Sequence, residues 1–289
     1  MRTSQSRQFP SRLLPGDPIM LAAPARFATE ELLKLAIETV ESAGFLPVIP
    51  AGITSRDGQF GGTDEHRAAC LNQGFGDPEI RAIWVLRGGY GCGRILPLLD
   101  AEAFRRDPKW IVGFSDITAL HAWADRQGVA SLHAPMAGTY AMTEKAHREE
   151  IWSLLKADHS RDGVPVIGGN LSVLYSLLGT PYFPNVSGCW LLLEDLDEFL
   201  YHIDRMFLAL RLAGVFEKVH GLLLGSFSDL QDNTIACGQA TDNPFGQDIK
   251  AMVAEHFPSE KQVEWGLPIG HGRKNRPVVL GSAWPTFAG

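Results

Sequence analysis

Two rhythms of apolar residues alternate along the first half of the chain. Short apolar runs give way to stretches in which apolar side chains recur at helical spacing. PIMLAAPA (18–25) is the first run and ends in proline. TEELLKLAIETVESAG (29–44) follows with helical spacing and stops at Gly44, a residue suited to helix ends. FLPVIPA (45–51) reads as a second strand, and GTDEHRAACLNQGFGDP (62–78) as a helix with an acidic first turn. IRAIWVLRGGYG (80–91) is a buried strand running into glycines. A helix is expected over 91–108, a strand over 109–114, a helix over 116–127 and a strand over 130–136. Strands alternating with helices predict a mostly parallel sheet covered on both faces, an α/β fold.

The pattern changes near 140–166. TEKAHREEIWSLLKADHSRDG is a polar helix followed by a loop, read as a connection. Beyond it lie GVPVIGGNLSVLYSLLG (163–179), GCWLLLEDLDE (188–198), a helix through 200–216, VHGLLLGSFSD (219–229) and GLPIGHGRKNRPVVLGS (266–282). Few helices stand out between these runs, which predicts a smaller, strand-rich second domain. The expected division is an α/β domain over 1–145, a linker over 146–166 and a β-rich domain over 167–289. The loop 228–244 is polar and expected at the surface.

Composition narrows the classes. A hydrophobic content of 45% with 20% charged residues describes a chain able to bury a full core. A net charge of -7 and the lack of a basic run argue against a nucleic-acid partner. No apolar run reaches the length of a membrane span, and the N-terminus lacks the apolar core of a signal peptide. Cys70, Cys92, Cys189 and Cys237 show no C-x-x-C spacing, and no H-E-x-x-H occurs, so no metal site is expected. Scattered thiols fit a reducing cytoplasm.

Three positions could carry chemistry. Ser115 stands where the strand WIVGF turns into the helix DITALHAWA. It reads either as a helix N-cap or as a nucleophile exposed on a turn. Glu194 and Asp195 end the run WLLLED. Strand alternation turns one inward, and Asp195 is expected to point away from the site. His271 lies between two glycines in IGHGR, which leaves its ring accessible. A Ser, a Glu and a His together can act as nucleophile, orienting acid and base. Their order matches that of α/β-hydrolases, but Gly113-Phe114-Ser115-Asp116-Ile117 lacks the second glycine of that fold's elbow. The loop RGGYGCG (87–93) matches no standard nucleotide-binding motif, yet its amides could meet a phosphate or an oxyanion.

These segments, taken in order, resemble the LD-carboxypeptidase family of serine peptidases, which includes murein tetrapeptide carboxypeptidases and microcin C self-immunity proteins. The resemblance runs from LLPGDPIMLAAPA through the block 62–100, GFSDITALHAW, LHAPM, GGNLSVLYSLLGTPY and LLLEDLDEFLYHIDRMF to GLPIGHGRKNRPVVLG. It implies a flavodoxin-like N-terminal domain and a smaller β-rich C-terminal domain, with a triad of Ser115, Glu194 and His271 spanning the two. It also implies an oxyanion hole from the backbone of Gly88, Gly89 and Asp116, no cofactor, and a cytoplasmic homodimer. The implied reaction releases a terminal D-amino acid from an L-centre, as in removal of D-alanine from murein tetrapeptide during peptidoglycan recycling. Arg87, His133 and Arg273 are the expected substrate contacts, since a carboxypeptidase must bind a free carboxylate. Cys70 stands where the family often has an acid, the segment from the acid to Arg205 is spaced differently, and GRKNR is more basic than usual. Two other readings stand beside this one: a self-immunity peptidase cleaving a peptidyl-nucleotide toxin, and a non-catalytic nucleotide-binding module built on the RGGYG loop.

Overall fold

A computed structural model describes residues 7–159 and 162–284. The extreme ends of the expected domains, 1–6 and 285–289, and positions 160–161 of the expected linker lie outside the described residues. The first half comprises β1 (Pro18–Ala22), α1 (Glu30–Ser42), β2 (Leu46–Val48), α2 (Asp64–Gly76), β3 (Ala82–Val85), α3 (Cys92–Ile95), α4 (Ala101–Arg106), β4 (Trp110–Gly113), α5 (Thr118–Arg126), β5 (Ser131–His133), α6 (Ala137–Tyr140) and α7 (Lys145–Lys156). The second half comprises β6 (Val166–Asn170), α8 (Leu171–Leu177), β7 (Trp190–Leu196), α9 (Leu200–Leu212), α10 (Val215–Lys218), β8 (Gly221–Ser228), α11 (Ile249–His256), β9 (Gln262–Glu264) and β10 (Val278–Leu280).

The first sheet has the order β2-β1-β3-β4-β5-β10. Its first five strands are parallel in the flavodoxin-like order, and β10 closes the edge antiparallel to β5. Alternation assigns the two faces. Ile19 and Leu21 pack with Trp84, Ala36 and Val40, while Met20 and Ala22 pack with Leu71, Phe75 and Trp123. Helix α7 lies in the stretch read as a connection, yet it buries Ile151, Trp152 and Leu155 against the first of these faces. The helix expected over 91–108 is broken into α3, a 3-10 turn at Leu96–Leu98 and α4. Pro97 cannot donate to a continuing helix, and Asp100 starts α4 afresh by accepting from Ala103 N.

The second sheet, β6-β7-β8-β9, is wholly parallel. Parallel neighbours require crossovers, and helices α8, α9, α10 and α11 bury one face of this sheet. The second half therefore holds more helix than its short apolar runs suggest. Its other face packs Trp190, Leu192 and Leu223 with Ile269, Val278 and Leu280. The stretch after β10 ties the sheets together, since Gly281 N donates to Val166 O and Val166 N to Ser282 O. Nothing in the run PVVLG distinguishes a strand of one sheet from a strand of the other, so this return was not visible in the sequence.

Candidate active site

Ligand crevices in open parallel sheets lie beyond the carboxyl ends of the strands, where the strand order reverses. Here that reversal lies between β1 and β3. A cleft beside it is lined by Arg87, Gly88, Gly89, Ser115, Thr139 and His271. Strand β4 ends at Gly113, and a 3-10 turn over Ser115–Ile117 leads into α5. A Cβ on Gly113 would stand 2.8 Å from the Ile117 side chain, so only glycine lets the turn fold back this tightly. Ser115 itself has φ of 62°, a left-handed conformation that costs a non-glycine residue about 1–3 kcal/mol. Its side chain caps neither the turn nor α5. The N-cap reading is thus corrected: the strained backbone aims the hydroxyl into the cleft instead of along the helix.

The glycine loop arches over this serine. A Cβ on Gly88 would meet Ser115 Oγ at 3.5 Å and Met136 Cε at 3.2 Å. Gly89 and Gly91 have φ of 114° and 141°, which L side chains rarely adopt. The buried guanidinium of Arg67 anchors the loop by donating to the carbonyls of Pro24 and Gly91. Asp116 turns its carboxylate inward to accept from Cys92 N at 2.9 Å, and burial raises its pKa. Among the described residues, the amides of Gly88 and Gly89 enter no hydrogen bond, so they remain available to a ligand oxygen.

Strand β7 and the loop from β9 to β10 complete the site from the other side. His271 Nδ1 lies 2.8 Å from Glu194 Oε2, and Glu194, on β7, is fully buried. A proton on Nδ1 satisfies this bond and leaves Nε2 as the free acceptor of the ring. Space around the carboxylate is made by glycines: a Cβ on Gly225 would approach Glu194 Cβ to 3.1 Å, and one on Gly270 would approach Oε2 to 3.0 Å. Phe114 packs its ring against His271 at 4.8 Å between centroids. Buried Asn275 accepts from Gly270 N and fixes the turn that carries the imidazole. Ser115 and His271 line the same cleft without a direct hydrogen bond, a distance that commonly closes when substrate binds. The arrangement offers a hydroxyl, an imidazole oriented by a carboxylate, and free amides, which are the parts of acyl transfer.

The remaining expectations divide. Arg87 reaches the cleft wall, half-buried, with its guanidinium near the carbonyl of Phe27. Arg273 does not line the cleft. Its side chain is exposed and its carbonyl accepts from Glu144 N. His133 also fails to reach the cleft surface. It is fully buried behind Phe114, and burial followed by the nearby His121 and His271 pushes its pKa down to about 3. Asp195 is not at the surface either. It points away from Glu194, as alternation requires, but the face it enters is covered by α8, so it is 1% exposed. Leu32, Met136 and Thr139 also line the cleft. Of these only LHAPM carried a sequence signal, because the other two lie on ordinary-looking helices. Among the described residues no three His, Cys, Asp or Glu side chains are grouped to hold a metal ion.

Comparison with known proteins gives two family matches. Residues 19–134 match the LD-carboxypeptidase N-terminal domain and residues 163–284 the LD-carboxypeptidase C-terminal domain. A relative from Bacillus subtilis, named a probable murein peptide carboxypeptidase, is 32% identical over 237 residues, covering 75% of this chain and 74% of its own. The crystal structure of a muramoyltetrapeptide carboxypeptidase from Oxalobacter formigenes superposes with a TM-score of 0.78 at 26% identity, covering 91% of this chain and 92% of that one. The microcin C7 self immunity protein MccF superposes with a TM-score of 0.77 at 22% identity over 94% and 93%, a likeness of fold.

Proposed function

The chain belongs to the LD-carboxypeptidase family of serine hydrolases, and from that membership we propose that it releases D-alanine from the L-centre of a murein tetrapeptide in peptidoglycan recycling. The observation that carries the reading is the buried Glu194–His271 bond facing a cleft that also holds the strained Ser115.

In this reading His271 Nε2 takes the Ser115 proton as Oγ attacks the scissile carbonyl. Glu194 holds the tautomer through Nδ1 and stabilises the imidazolium. The amides of Gly88 and Asp116, with Gly89 adjoining, receive the oxyanion, a contribution that is often the largest in such reactions. The imidazolium then protonates the leaving amine, D-alanine departs, and water attacks the acyl-enzyme by the same path in reverse. Arg87, on the cleft wall, is the candidate partner for the terminal carboxylate. The four cysteines form no disulfide, which suits the cytoplasmic location that belongs to this proposal, as does a homodimer.

Cleavage of a peptidyl-nucleotide toxin is the second reading, suggested by the fold of MccF. Among the described residues no Trp or Tyr lines the cleft to stack a base, and the ring of Phe114 is already packed against His271, which favours the murein peptide. Parallel incubation with murein tetrapeptide and with an aminoacyl sulfamoyl nucleoside tests the choice. Faster turnover of the peptide is expected, and preference for the nucleoside would reverse it. Binding of the nucleoside with turnover of neither compound would instead favour a non-catalytic module.

A further inference from the structure

In the proposed reaction the nucleophile follows a strand of one sheet, the acid lies on a strand of the other, and the base sits on the loop that runs from β9 to β10. Productive geometry of such a constellation has to be held within about 0.5 Å. Something must therefore fix β7, which carries Glu194, against the start of α5, which follows Ser115. We propose that Asp195 does this as a positioning residue, clasping the two through Asn170 and Thr118. The inference rests on the reading of Ser115, Glu194 and His271 as the reacting set.

The connections are direct and buried. Asp195 Oδ1 accepts from Asn170 Nδ2 at 2.8 Å and from Leu196 N at 2.9 Å, and Oδ2 accepts from Ser172 N at 2.9 Å. Asn170 Oδ1 accepts from Ser172 Oγ at 2.9 Å and Val173 N at 3.1 Å, so its amide cannot flip without losing both. Asn170 N crosses to the other sheet's helix and donates to Thr118 Oγ1 at 3.0 Å. Thr118 opens α5, and its own N–H donates to Ser115 O. Gly169 makes the crossing possible, since a Cβ there would lie 2.5 Å from Thr118 Oγ1. Asp195, Asn170 and Thr118 are all buried.

Capping alone does not account for this carboxylate. Asn170 already caps α8 through Val173 N. A second buried carboxylate next to Glu194 is unfavourable, and desolvation followed by the Glu194 charge raises the Asp195 pKa to about 6. Its neighbours on β7, α8 and α5 contribute no other ionisable group to that shift. Every hydrogen bond it makes comes from a donor, so a protonated carboxyl would place its hydrogen against N–H groups. Acidification through pH 6 should loosen the clasp while Ser115 stays in place.

The test uses murein tetrapeptide turnover by the full chain. Asp195→Asn should lower kcat by roughly 10- to 100-fold, the scale of a small misplacement of reacting groups, with KM little changed. The acidic limb of its kcat profile should become shallower, because the carboxyl at position 195 no longer takes up a proton there. Labelling of Ser115 by a fluorophosphonate should slow in step. Thr118→Val removes the acceptor at the far end and should act in the same direction. The double variant should be no worse than the poorer single one, since both break one clasp. Wild-type kcat and an unchanged acidic limb in folded Asp195→Asn, or losses that multiply in the double variant, would overturn the proposal. Should Asp195→Asn fail to fold, Thr118→Val decides alone, through kcat and labelling rate. Ser115→Ala separates the two levels: if it still releases D-alanine the reaction assignment falls, whereas if it is silent and Asp195→Asn is normal only the clasp falls.

Discussion

Single residues carry the sharpest consequences. The imidazole of His271 is held by one carboxylate oxygen, and Glu194 has no exposure to water that could substitute for it. Glu194→Gln keeps the volume but presents either an amide N–H or an uncharged oxygen to Nδ1. Turnover should fall by about a thousandfold or more, as when the acid of a comparable triad is neutralised. Steady-state kinetics on a tetrapeptide checks this, and a loss under tenfold would mean that another group orients the ring. Arg87 gives a second residue-level consequence. Amidating the substrate's terminal carboxylate should slow the native protein, and Arg87→Leu should remove the difference between acid and amide, whose size is set by a charge-assisted bond of about 1.5–3 kcal/mol. Unchanged discrimination in Arg87→Leu would move carboxylate recognition elsewhere. Ser115 and His271 were legible in the sequence because each sits among residues that make turns. Asp195 points apart from Glu194 as expected, but its burial was not legible, because alternation says nothing about what covers the far face.

At the scale of elements, strands and helices of the first sheet were readable because each buries a periodic apolar face. Strand β10 was not, being a short apolar run that either sheet could accept. Strand β5 and helix α5 together bury two histidines in neutral form. Burial pushes His121 to about 4 and His133 to about 3. In the unfolded chain both titrate near 6.5, so their contribution to stability is complete above that pH. It is lost as pH falls toward the folded values, at about 1.4 kcal/mol per pH unit for each. Asp195 acts in the opposite sense. Its raised pKa of about 6 means that the folded chain binds the proton more readily, so its contribution is present at low pH and fades as pH rises through 6. His133→Leu should therefore lose less melting temperature between pH 7 and pH 5 than the native chain does. Parallel melting curves of the two proteins would contradict the neutral buried pair.

The whole molecule joins a mostly parallel sheet, closed by the antiparallel β10, to a wholly parallel one, and the proposed reacting groups are drawn from both sides of that junction. Several ties hold this arrangement at a distance from the cleft. Arg7, near the start of the described chain, pairs with Asp125 on α5 and also donates to Asn185 O, which lies on the approach to β7. Both members of the pair are buried, so Arg7→Ala leaves an uncompensated carboxylate. It should cost roughly 3 kcal/mol of stability, read by chemical denaturation. A cost near zero would show that water replaces the guanidinium. The central claim is that the two sheets jointly make a serine hydrolase that removes one terminal D-residue. It is tested most directly by incubating the native chain and Ser115→Ala with murein tetrapeptide and weighing the products. The account predicts loss of a single D-alanine with the native chain, none with Ser115→Ala, and no effect of a chelator. An unchanged tetrapeptide, or equal release of D-alanine by both proteins, would contradict it.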